Sequence, residues 1–281
     1  MRLLLFLLLF GCVTLNGQTQ FVWNGRVLDA QTRQPLPYVN IGVVGGMEGT
    51  VSKPSGNFEL SLKSKKATVR FSTIGYQAVD VDLGNQPLDS IITLEPEAYL
   101  LQAVEIVRSR FNNTVETYGL KTGPERGHSV GFGSSQLGTE FGALIPISDS
   151  TLITSANFEI NHAKGDSMHF RINMYAYNTT SETIGVNLLN DQILISRPQK
   201  PGTLSVDLRE YNIVLTGPVL LTLEWIRNDG DAGNQGLTFD VDKDKELSGT
   251  FWRMTSQSPL TQLDVKRRYK PCFYLQGKRV N

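Results

Sequence analysis

Gly25-Arg26-Val27-Leu28-Asp29, Pro35-Leu36-Pro37-Tyr38-Val39-Asn40-Ile41, Gly49-Thr50-Val51-Ser52, Ser55-Gly56-Asn57-Phe58 and Ser72-Thr73-Ile74-Gly75-Tyr76 lie along one 59-residue reach, Gly25 to Leu83. Apolar residues there and just beyond alternate in short runs: Phe21/Trp23/Val27, Val39/Ile41/Val43, Phe58/Leu60/Leu62, Val69/Phe71, Val79/Val81/Leu83 and Ile92/Leu94. A period of two places one side of each run in a core and the other toward solvent, which predicts β-strands. Gly45-Gly46, Pro54-Ser55-Gly56, Gly84-Asn85 and Pro87 supply turn geometry between them. Many short strands with frequent turns predict a β-sandwich over residues 21–95.

These pieces, taken in order, resemble the carboxypeptidase-regulatory-like domain, a small transthyretin-like (prealbumin-like) β-sandwich. Gly25 to Asp29 resembles its opening strand, Pro35 to Ile41 its first turn and second strand, and Ile74-Gly75-Tyr76 the end of a late strand. The resemblance implies a structural or docking module of exported proteins, without a reaction of its own. Leu100 to Val107 is similar to the segment that joins this module to the plug of TonB-dependent receptors. Fewer than about 175 residues follow, too few for a 22-stranded barrel with strands near 10 residues.

Outward from the module, the N-terminus reads as an export signal over residues 1–17. Met1-Arg2 precedes an apolar run, Leu3 to Phe10, that falls short of the roughly 20 residues a spanning helix requires. Two endings remain open. Cleavage near Gly17 leaves a soluble protein, whereas Leu9-Phe10-Gly11-Cys12 is similar to a lipobox and makes Cys12 a candidate lipidation site. Either predicts a protein of a Gram-negative cell envelope, in the periplasm or at the outer membrane, with membrane contact only if Cys12 carries lipid. The sole other cysteine is Cys272, read as a buried or late-strand thiol.

Residues 96–149 read as a linker with edge strands, and residues 150–281 as a second, jelly-roll-like β domain, making the chain all-β. Its expected core includes Phe170, Ile172, Met174, Leu204, Val206, Leu221, Leu223 and Trp225. Phe170 to Tyr175 and Asp207 to Ile213 also resemble strands of exported proteins that carry the regulatory-like module. Lys+Arg and Asp+Glu both number 27, a balance that removes the electrostatic case for nucleic acid as a partner.

No reaction is legible. A metallocarboxypeptidase pair, His-x-x-Glu, is missing at His128, His162 and His169, because Gly131, Gly165 and Ile172 stand three residues on. Gly127-His128-Ser129-Val130-Gly131 matches G-x-S-x-G but lacks the strand and helix that a nucleophile elbow needs. Asp229 to Asn234 and Asp240 to Glu246 gather oxygen ligands, yet Lys245 and Phe251 stand where a calcium loop requires glycine and a bidentate carboxylate. These read as a solvated hairpin. Catalytic residues, metal and cofactor are all read as none. One strand offers a binding face: Arg171, Asn173, Tyr175 and Tyr177 alternate with the core residues, presenting hydrogen-bonding groups and rings suited to a sugar or peptide. An envelope protein or glycan is the expected partner.

Overall fold

The computed structural model describes residues 21–85, 89–97, 112–121, 128–132, 137–164, 168–196, 200–229, 236–243, 250–263 and 269–280. The export signal and Cys12, the stretch Leu100 to Val107, Gly127, and residues 230–234, 244–246 and 266–268 lie outside the described residues.

Seven strands form the first sandwich: β1 (Phe21–Asp29), β2 (Asn40–Val43), β3 (Gly49–Val51), β4 (Asn57–Leu62), β5 (Thr68–Ser72), β6 (Val79–Asp82) and β7 (Asp89–Leu94). One sheet runs β4-β1-β7, with β1 and β7 parallel, and the other runs β3-β2-β5-β6. The alternation in β4, where Phe58, Leu60 and Leu62 are buried and their neighbours exposed, is that of a sheet solvated on one face. Trp23, Phe58 and Phe71 meet edge to face between the sheets, with centroids 5.3, 5.7 and 5.4 Å apart.

The quoted motifs hold this sandwich together. Gly56 has φ +77°, and a Cβ there would lie 2.5 Å from the Val27 carbonyl oxygen, so only glycine fits. Asp29, at the end of β1, accepts the backbone N–H groups of Gln31 and Thr32 at 2.8 and 2.7 Å. Its other oxygen accepts the Tyr76 hydroxyl at 2.8 Å, joining the opening strand to the Ile-Gly-Tyr turn.

The second sandwich comprises β8 (Glu116–Gly119), β9 (Ser129–Phe132), β10 (Glu140–Ile145), β11 (Thr151–Lys164), β12 (Met168–Asn178), β13 (Thr183–Asn187), β14 (Ile193–Ser196) and β15 (Gly202–Asp207). It continues through β16 (Val214–Leu215), β17 (Val219–Asn228), β18 (Gly236–Lys243), β19 (Thr250–Arg253), β20 (Thr261–Leu263), β21 (Tyr269–Pro271) and β22 (Phe273–Arg279). One sheet runs β13-β12-β17-β10-β19-β20, with β14 also on β12. The other runs β21-β18-β11-β22-β8, with β15 and β16 on β11 and β9 on β18. All eight expected core residues contribute to the hydrophobic layer between these sheets. The chain is all-β, as its periodicity predicts.

The second sandwich begins earlier than residue 150: within 96–149, β8 and β9 are edge strands as read, and β10 is the departure. β8 and β9 join the second sheet, while β10 lies inside the first, between β17 and β19, with all six residues buried. Glycine-rich flanks made this segment read as peripheral, but a two-sided strand buries its polar residues as well as its apolar ones.

Candidate functional site

Strand β12 has its predicted two faces, but the polar one does not face open solvent. Phe170, Ile172 and Met174 enter the core, while Arg171, Asn173 and Tyr175 face the first sandwich. Arg171 and Asn173 are only 2 % and 3 % exposed. A buried charge is tolerated only when paired and hydrogen-bonded. Glu224 of β17, directly opposite Arg171, supplies the pair: its Oε2 accepts from Arg171 Nε at 3.0 Å and from Nη2 at 2.9 Å.

The remaining Arg171 donors reach out of the domain. Nη1 donates to the Tyr38 carbonyl at 2.9 Å and to Gln192 Oε1 at 3.0 Å, and Nη2 to Asn40 Oδ1 at 2.5 Å. All five N–H groups of the guanidinium are thus engaged, three of these bonds within the second sandwich and two to the first. Arg171 is therefore a strut between the sandwiches, with its hydrogen-bond donors all taken up by protein groups. Tyr38 has φ +57°, a conformation costing a residue with a Cβ about 1–2 kcal/mol. Its N–H donates to the Ser52 carbonyl at 3.0 Å while its own carbonyl accepts from Arg171, so contacts on both sides hold that conformation.

A second ion pair extends the layer. Arg253 of β19 donates from Nε to Glu140 Oε2 at 2.6 Å and from Nη2 to the Tyr175 hydroxyl at 2.9 Å. Asn173 bridges the two carboxylates, donating to Glu140 Oε1 at 2.9 Å and Glu224 Oε2 at 3.1 Å, and accepts from Asn187 at 3.0 Å. Glu140 also accepts a short bond from Thr222. Burial raises the Tyr175 phenol well above its ordinary pKa and keeps it a neutral donor, with Arg253 opposing the shift. Glu224 Oε1, by contrast, is buried with no hydrogen-bond partner among the described residues.

Above this layer lies a cleft of about 570 Å³ between the two sandwiches. The first contributes Asn40, Arg70, Ser72, Thr73 and Tyr76 to its wall; the second contributes Arg171, Asn173, Tyr175, Asn187, Arg253 and Gln257. Cross-domain hydrogen bonds frame it, from Gln192 Nε2 to Thr73 Oγ1 at 2.9 Å and from Gln257 Nε2 to Ser72 Oγ at 3.1 Å. Three of the four predicted binding residues therefore border one cavity. Tyr177 does not: it packs edge to face on Phe251 at 6.0 Å, beside Leu220 and Ile184.

Sequence reading missed Glu140, Glu224, Arg253 and the whole contribution of the first sandwich. The available signal was Leu221-Thr222-Leu223-Glu224-Trp225, in which a carboxylate interrupts the most apolar strand and requires a buried cation opposite.

Two further clusters bear on chemistry. Ser196 Oγ lies 2.8 Å from His169 Nδ1, whose Nε2 lies 2.5 Å from Asp229 Oδ2, a Ser-His-Asp chain on neighbouring strands. Asp229 is held below the usual carboxylate range by His169 foremost, and it also pairs with Arg227. None of the three residues borders the cleft. Ser129 opens β9 at an exposed position, and its motif neighbour His128 stacks on Tyr269 at 4.6 Å. Asp240, from the suspected calcium loops, accepts Asn161 Nδ2 at 2.7 Å. Cys272 is fully buried, and burial pushes its thiol up to about 12.

No curated protein matches the chain. Among solved structures, it is similar to the cysteine protease and lectin-like domains of Cwp84, a surface layer associated protein of Clostridium difficile, at 10 % identity. That match has a TM-score of 0.41 and covers 83 % of this chain and 46 % of that one. A structure of clostridial cysteine protease Cwp84 after propeptide cleavage matches at 9 % identity and TM-score 0.40, over 83 % of this chain and 51 % of that one. The chain spans about half the length of these structures. Residues 23–106 match the family model of the CarboxypepD_reg-like domain, a span that includes the Asp29–Tyr76 clasp and strand β2, so that the N-terminal part of this chain is a carboxypeptidase-regulatory-like domain.

Proposed function

We propose that the protein is an exported, non-catalytic component of a cell envelope, in which the regulatory-like sandwich is docked rigidly on an interaction domain and a ligand enters the cleft between them. The carrying observation is that both sandwiches build the walls of one cavity of about 570 Å³, within the usual range for ligand sites, roughly 300–1,000 Å³. The Met1-Arg2 and Leu3 to Phe10 pattern supports export, and Cys12 remains the candidate lipid attachment. Non-catalysis is supported by the missing His-x-x-Glu pair at all three histidines and by the missing strand–helix setting of the Ser129 motif.

The test is a thermal-shift screen of soluble glycans, peptidoglycan fragments and short peptides, run beside an ester and peptide hydrolysis panel. A ligand that stabilises the wild-type protein and loses affinity on Gln257→Ala is the expected result. Hydrolysis abolished by Ser196→Ala or Ser129→Ala, or the absence of any ligand, overturns the reading.

A further inference from the structure

Resting on that reading, we infer that the cleft takes a neutral saccharide, and that its arginines serve to shape the site and not to attract charge. Each guanidinium at the wall has a carboxylate of its own. Arg171 is matched by Glu224, Arg253 by Glu140, and Arg70 by Asp80 through bonds of 2.6 and 2.7 Å. Three cations against three carboxylates leave little field to favour an anionic or cationic ligand.

What remains for recognition is uncharged. Ser72 and Thr73 use their hydroxyl oxygens as acceptors for Gln257 and Gln192, which leaves their protons available. The Tyr175 hydroxyl likewise accepts from Arg253 and keeps its proton. Asn40 uses its oxygen for Arg171, leaving its amide N–H groups, and Gln257 donates twice through Nε2, leaving its carbonyl. Hydroxyl protons, amide donors and a carboxamide acceptor, contributed from both sides of the cleft, match the alternating donors and acceptors of a polyol ring. Ile74, Ala78 and Val186 add small apolar surface against which the C–H face of a sugar can lie.

The framing bonds make this a preformed arrangement, since the side chains that offer a free group are already fixed by their second bond. A peptide has fewer hydroxyls and brings backbone groups that want a strand edge, while an acidic glycan would find every cation already paired.

Isothermal titration of the full protein with neutral gluco-, manno- and xylo-oligosaccharides, with oligogalacturonate, and with short uncharged peptides separates these cases. We expect binding of a neutral oligosaccharide that is insensitive to added salt and weakened about tenfold by Thr73→Val or Tyr175→Phe, as loss of one hydrogen-bonding hydroxyl predicts. Both variants are checked by their melting temperatures, and Ser205→Ala, on the opposite sheet, should bind as wild type. Preferential, salt-sensitive binding of oligogalacturonate, or binding of the peptides alone, overturns the saccharide assignment and leaves the cleft reading standing. No binding by any probe overturns both.

Discussion

Asp29 shows how much one side chain contributes to this fold. Its carboxylate closes a turn through two backbone N–H groups and anchors Tyr76 across 47 positions of sequence. Its pKa is lowered, first by the Thr32 N–H and then by the Tyr76 hydroxyl. The folded value is thus below the unfolded one, near 3.9. Its contribution to stability is complete above that unfolded value and disappears as pH falls through the folded value. Asp29→Asn should therefore weaken the protein at neutral pH and flatten the acid limb below about pH 4. Chemical denaturation across the acid range reads this; an unchanged acid limb in the variant refutes it. The Gly25 to Asp29 and Ile74-Gly75-Tyr76 motifs were both legible in the sequence, but the bond between them was not, because sequence spacing says nothing about which turn a hydroxyl reaches.

Among the elements, the β3–β4 turn was the easiest to read and β10 the hardest. Pro54-Ser55-Gly56 predicts a turn, and the positive φ of Gly56 against the Val27 carbonyl explains the residue chosen. Gly56→Ala should cost about 1–2 kcal/mol from the left-handed conformation alone, and more if the 2.5 Å approach to Val27 forces the backbone apart. Urea unfolding measures it; a variant as stable as wild type would mean the turn relaxes freely. β10 offered no such cue. Its sequence, Glu-Phe-Gly-Ala-Leu-Ile, mixes a charge with apolar residues, and its burial on both faces depends on β17 and β19 arriving from 70 and more residues away. β12 stands between these cases: its alternation was legible, while the identity of what covers its polar face was not.

At the scale of the molecule, the two sandwiches form one body because Arg171 is satisfied only when the first sandwich is in place. Its side chain spends two of its hydrogen bonds on Tyr38 and Asn40. Arg171→Met removes these and also leaves Glu224 buried without its cation, a loss of about 3–5 kcal/mol. Calorimetry should then resolve two transitions where the wild-type protein shows one, with the regulatory-like sandwich melting independently. A single transition merely shifted to lower temperature would mean that Gln192, Gln257 and the apolar contacts of Ile74 couple the domains without it.

The sequence by itself determined the strand periods, the all-β class, the regulatory-like module and the core of the second sandwich, because alternation and turn chemistry are local properties. Only the tertiary structure decided that Arg171, Asn173 and Tyr175 face another domain, that Glu140, Glu224 and Arg253 complete their charges, and that a cleft lies above them. Those facts depend on long-range pairing and on burial, where a charge must find its counter-charge at whatever distance along the chain the fold supplies it.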